Sequence, residues 1–159
     1  MPISRRTLLA SGAVLAAAGA AGAWALLPRT LPYARVYAED GIAIDGTDAV
    51  AYFTDAAPVP GDPAITHDWA GATWRFATAA NRDAFAADPM AYAPQYGGFC
   101  AWAVAAKGQL FSTRPENWAV VDGKLYLNFN DDVQETWNTD RPGFIAEGDR
   151  RWPEISSDA

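Results

Sequence analysis

Two segments of alternating side chains, each folded back at a two-residue turn, limit this chain more than any other feature. In the first, Ile65, His67 and Trp69 share one face, Ala70-Gly71 turns the chain, and Trp74 and Phe76 share one face of the returning segment Thr73–Phe76. The second runs Trp118-Ala119-Val120-Val121, then Asp122-Gly123, then Lys124-Leu125-Tyr126-Leu127-Asn128. Asp-Gly between apolar runs is the signal for a type I′ turn, whose twist matches that of paired strands. Both segments therefore predict β-hairpins.

Elsewhere the period is helical. Thr78 can cap a helix over Ala79 to Ala87 with Phe85 as its buried anchor, and Asp88-Pro89 restarts a short helix that turns Met90 and Tyr92 to the core. Asp131 to Trp137 and Pro142 to Trp152 read as closing helices, the second ending at Pro153. Ile42 and Ile44 alternate, Asp45-Gly46 is a turn, Val50 to Phe53 reads as a short β-type run, and Ala57 to Pro63 as a loop. Phe99 to Val104 is apolar enough to be buried, and its period does not separate strand from helix. The sum is an α+β fold, a small single domain of two β-hairpins packed with several short helices. At 159 residues, half of them hydrophobic and including 7 Trp, 6 Tyr and 7 Phe, the chain has material for one core.

The N-terminus reads as an address. Arg5-Arg6 precede an apolar run from Leu8 to Leu27 with Ala-x-Ala pairs at Ala21/Ala23 and Ala23/Ala25, the plan of a twin-arginine signal, so the destination is the periplasm or another exported location. An uncleaved membrane anchor is the alternative, since the run is about long enough to cross a bilayer. The organisation expected is therefore a signal segment over 1–25, a leader over 26–40, the domain over 41–153 and a tail over 154–159. Beyond the signal there is no second long apolar run, hence no stable membrane span after its removal. The formal charge is −7, and cleavage would take away two arginines more, which excludes nucleic acid as a partner.

The lone cysteine is the chemical focus. Cys100 cannot form an internal disulfide or build a site of several thiolates. It stands in Tyr96-Gly97-Gly98-Phe99-Cys100-Ala101, where the glycine pair lets the backbone bend or approach another group closely.

That stretch, with Gly46-Thr47-Asp48-Ala49-Val50-Ala51-Tyr52-Phe53, Gly71 to Phe76, Asn81 to Phe85 with Asp88-Pro89, and Asp122 to Asn128, resembles the YHS-domain family, in particular its exported single-cysteine group. The likeness runs from about Gly41 to Pro153. YHS domains are grouped with the TRASH-like superfamily of cysteine-containing modules described as metal-binding, and some relatives of the single-cysteine group are named as selenoproteins. The resemblance thus implies chemistry at the sulfur of Cys100, although the superfamily's metal sites use several cysteines where this chain has one.

Three readings follow. As a soft-metal site, Cys100 would join His67 and Met90, the thiolate, imidazole and thioether that Cu(I) prefers, and a copper ion is the implied cofactor. As a redox thiol, Cys100 would be the catalytic atom, ionised beside a helix N-terminus or a cation such as Lys107 or Arg114, and served by an external protein or small-molecule partner. In the third, Cys100 is packed and inert, His67 is a core histidine, and the domain is a non-catalytic interaction module. Copper handling without turnover is the expectation at this level. A Cys-His hydrolase with His67 as base lacks any mark of an oxyanion hole.

Overall fold

The computed structural model describes residues 35–157. The signal segment and most of the leader lie outside the described residues, as do the last two residues of the expected tail.

Both hairpins form. Strands β3 (Asp62–Trp69) and β4 (Ala72–Phe76) pair antiparallel, with His67 opposite Trp74 and Trp69 opposite Ala72. The alternation is legible in burial: Ile65, His67 and Trp69 are half-buried between exposed neighbours, and Ala72, Trp74 and Phe76 are buried. Two short strands, β1 (Ala38–Glu39) and β2 (Ile42–Ala43), complete a sheet ordered β1-β2-β4-β3, with β2 parallel to β4. The ladder between β3 and β4 breaks register between Asp62 and Thr66, so the outer strand β3 is kinked at its start. Strands β5 (Arg114–Val121) and β6 (Lys124–Asn128) form the second, two-stranded sheet. Their turn has positive φ at both Asp122 and Gly123, as a type I′ turn requires.

The helices are α1 (Ala51–Thr54), α2 (Ala79–Ala87), α3 (Pro89–Tyr92), α4 (Ala101–Lys107), α5 (Asp131–Asn138) and α6 (Arg141–Ser157). Thr78 caps α2 as expected, its hydroxyl accepting the Asn81 N–H at 3.1 Å. Phe85 is fully buried against Trp69, Trp74 and Phe76. Asn130 caps α5 by accepting the Val133 N–H. One apolar cluster gathers β2, β4, Tyr52 and Phe85, and a second gathers Tyr96, Val104, Tyr126 and Trp137 with Phe144 and Trp152 of α6.

Several expectations are corrected. The run at Val50 to Phe53 belongs to a helical turn, because Asp48 Oδ1 takes the Val50 and Ala51 N–H groups where α1 begins and so keeps them from a strand ladder. Phe99 to Val104 resolves as entry into helix α4. The domain begins before Gly41: Tyr37 is buried, donates its N–H to the Gly97 carbonyl at 2.9 Å, and accepts from Ile44, so residues 35–40 belong to the fold. Pro153 does not end α6, which continues to Ser157. Trp152 and Ile155 on either side of it both pack on the second cluster, and that burial outweighs the hydrogen bond the proline removes. Met90 does not face the core, being 45 % exposed on α3.

Candidate functional site around Cys100

The approach to Cys100 is a bend of three consecutive left-handed residues, Tyr96 (φ 55°), Gly97 (φ 64°) and Gly98 (φ 85°). A Cβ on Gly97 would overlap the carbonyl oxygen of Arg35, and one on Gly98 would come within 2.8 Å of Ile44 Cγ2. The glycine pair therefore serves a close approach between backbones. It clears room for the segment 35–37 to lie on the bend and does not open a path to the sulfur.

Cys100 follows at the first turn of α4. Its N–H donates to the Phe111 carbonyl at 3.1 Å, and its own carbonyl accepts the Val104 N–H. The residue is 0 % exposed. Its Sγ donates to Asn128 Oδ1 across 3.6 Å, and the same oxygen accepts the Trp102 N–H at 3.1 Å. Asn128, also fully buried, donates through Nδ2 to Gln134 Oε1 at 2.9 Å, and Gln134 donates on to the Trp118 carbonyl and to Asn138. Below the bend, the Thr113 hydroxyl donates to the Gly98 carbonyl at 2.9 Å.

Two opposed effects set the thiol's acidity. Burial is the larger and pushes the Cys100 pKa up, because the thiolate loses its water. Against it stand the backbone amides of Ala103, Phe129 and Trp102, whose dipoles favour the anion and lower the pKa by less than burial raises it. The cations expected to help do not reach it. Lys107 lies with Nζ over the Trp102 ring, 5.3 Å from the centroid, and Arg114 is exposed at the start of β5.

The residues around the motif are structural. Tyr96 is buried, with its hydroxyl 2.9 Å from Asp149 Oδ1 and 3.1 Å from the Ile145 carbonyl. Phe99 stacks at a tilt on Tyr37, and Ala101 is buried in the second cluster.

The three residues of the expected copper set are not brought together. His67 lies on the edge strand β3 with its ring 6.2 Å from Phe85. Met90 projects from α3 toward solvent, and Cys100 sits between α4 and Asn128 of β6. Among the described residues no group of three or more His, Cys, Asp or Glu could hold a metal ion. The surroundings of the sulfur do not fit a metal either. The polar side chain that Sγ meets is the Asn128 amide, a hard oxygen, whereas a soft cation needs further lone pairs from sulfur or imidazole.

Sequence reasoning missed the two polar side chains that organise this region. Asn128 carries no local signal, since the Cys100 and Trp102 groups that its oxygen serves are distant in sequence. Asp48 carries one, an acidic residue just ahead of a short apolar run, which is how a cap reads. It is fully buried and accepts from Val50 and Ala51 on Oδ1, and from the Ala77 N–H (2.8 Å) and Asn81 Nδ2 (2.7 Å) on Oδ2, pinning α1 to α2.

Comparison of the chain with protein-family models, with curated proteins and with solved structures finds no match in any of the three.

Proposed function

We propose that this chain is an exported YHS-like module whose chemistry is thiol exchange at Cys100 with an external sulfur-containing partner. The observation that carries the reading is the buried Cys100 thiol held at the first turn of α4 by donation to the Asn128 amide oxygen, which also accepts the Trp102 N–H and belongs to a side-chain network with Gln134. A merely packed cysteine has no need of a polar network around its sulfur, whereas a reactive thiol has. The different surroundings of Cys100, His67 and Met90 argue against copper, so thiol chemistry takes precedence over the metal expectation.

In the exchange step, Cys100 loses its proton to water and the thiolate attacks one sulfur of the partner's disulfide. A new S–S bond forms, the partner's S–S bond breaks, and the partner leaves as a thiolate. Having no resolving cysteine, the module is regenerated by a second external thiol that attacks the mixed disulfide. Because the sulfur is sealed, exchange requires the cover to move. The segment 108–113 between α4 and β5 is the candidate cover, being neither helix nor strand and tied to Cys100 through the Phe111 carbonyl.

The test is the rate at which a small aromatic disulfide labels the folded protein, followed against pH and against low concentrations of urea, with Cys100→Ser as the blank. Labelling that proceeds under native conditions, with a weaker dependence on urea than global unfolding, supports the proposal. Labelling that tracks global unfolding alone would leave a packed cysteine and a non-catalytic interaction module. Export is tested separately, by whether Arg5→Lys with Arg6→Lys retains the protein in the cytoplasm.

A further inference from the structure

The orientation of the Asn128 side chain is fixed by groups that have a single hydrogen-bonding sense. The Trp102 backbone N–H can only donate and meets Asn128 at 3.1 Å, so the atom there is the amide oxygen, and this oxygen lies 3.6 Å from Sγ of Cys100. The amide nitrogen consequently faces Gln134 and donates to its Oε1 at 2.9 Å. Gln134 is fixed in the same way. Its Nε2 meets two oxygens, the Trp118 carbonyl at 3.5 Å and Oδ1 of Asn138 at 3.1 Å, and Arg141 marks the second as an oxygen by donating to it from Nε and Nη2. The network therefore runs in one sense from the surface of α5 to the sulfur.

That sense matters to the proton on Cys100. An amide oxygen accepts from an S–H, but against a thiolate it sets lone pairs on a negative charge, and at a fully buried position solvent does little to weaken the repulsion. Charged side chains have other places. Lys107 of α4 lies on the Trp102 ring, Tyr96 of the bend donates to Asp149, Lys124 of β6 and Asp131, Asp132 and Glu135 of α5 are exposed, and the segment 108–113 carries no ionisable side chain.

We propose that Gln134 is a positioning residue for Cys100: by holding the Asn128 amide with its oxygen on Sγ it keeps the buried sulfur a thiol, and loss of that hold lets the amide nitrogen turn to the sulfur as the thiol gives its proton to water. Its meaning for reactivity rests on the exchange reading, in which only the thiolate attacks.

The test is the ionisation of Cys100, read from the Cβ resonance of isotopically labelled cysteine, a single signal in this chain, and followed against pH in the whole protein. Gln134→Met keeps the length of the side chain and removes the acceptor. Its midpoint falls about one pH unit below that of the wild type, a tenfold gain in thiolate at a given pH. Gln134→Glu loses the same donor toward Trp118 and Asn138 but keeps an acceptor for Asn128, and its midpoint stays at or above that of the wild type. A residue that merely packs α5 would move the two variants together, since both lose Nε2. Equal midpoints in Gln134→Met and wild type, a fall in both variants, or a Gln134→Met protein that unfolds with its sulfur still protonated overturns the proposal. Should Gln134→Met not fold, Gln134→Glu decides alone: a midpoint below the wild type overturns the proposal, and one at or above it supports it. No disulfide takes part in the titration, so its failure leaves the exchange reading standing, whereas the expected titration without native-state labelling overturns exchange alone.

Discussion

Oδ1 of Asn128 receives both the Cys100 thiol and the Trp102 N–H, so one buried amide oxygen joins strand β6 to the first turn of α4. Asn128→Leu removes that oxygen and leaves the Trp102 N–H without its acceptor, at a cost of about 1–3 kcal/mol in urea denaturation. Asn128→Asp keeps an acceptor but puts a negative charge beside the sulfur. It raises the thiol pKa further and slows labelling at a given pH. A faster-labelling Asn128→Asp protein would show that the oxygen does not face the thiol.

Stability should fall on the alkaline side. Burial raises the pKa of Cys100 and of the Tyr37, Tyr52 and Tyr96 phenols. A group that holds its proton more tightly when folded contributes its stability in full below its unfolded pKa, and loses it as pH climbs toward the folded value. The urea midpoint therefore declines once pH passes about 8.5, and more steeply past about 10, the ordinary thiol and phenol values. A midpoint that stays level through that range would contradict the burial of these groups.

Glu147 acts in the opposite sense. Its hydrogen bonds with Arg150 and Arg151 lower its pKa to about 2. What the pair adds is present above the ordinary value of about 4.3 and is lost as pH falls toward 2. Because Glu147 and Arg150 are exposed, the effect is small and salt removes it. Comparing wild type with Glu147→Gln at low and high salt measures it.

Gly148 of α6 lies directly under the Tyr96 ring, where an added Cβ would come within 2.6 Å of the hydroxyl oxygen and 2.7 Å of Cζ. Gly148→Ala should destabilise by about 1–3 kcal/mol through overpacking, despite alanine's better helix propensity. In the Tyr96→Leu background the same change should cost less or become favourable. Additive effects would mean that the ring and the glycine are not in contact.

Asp48→Asn replaces one of two accepting oxygens with an N–H₂ group facing N–H donors, and a loss of about 1–3 kcal/mol or more in the unfolding free energy is expected. Asn81→Ala should cost less, since it removes only one of the four donors on Asp48.

The α+β architecture was legible where local chemistry and burial agree. The face of Trp74 and Phe76, the Asp122-Gly123 turn and the Thr78 cap each depend on neighbours within a few residues. What depended on distant partners was not. Tyr37 docks on Gly97, and the partner of the close approach that the glycine pair permits could not be named from the sequence. Val50 to Phe53 is too short for period to separate strand from helix, and a side chain two residues upstream decides it. Pro153 was read as a stop because packing of Trp152 and Ile155 on Tyr96 and its neighbours has no local signature. The sulfur's importance was visible in Cys100 being the one cysteine, but its surroundings were not, since Asn128 and the Phe129 amide arrive from the other end of the second hairpin.

The kinked start of β3 bears on how copies of this protein meet. A second molecule seeking to extend the sheet by adding a strand at that border meets Pro63, which offers no N–H, a ladder out of step between Asp62 and Thr66, and the carboxylates of Asp62 and Asp68. Growth of fibrils strand upon strand is blocked along this margin by the same irregularity that bends the hairpin.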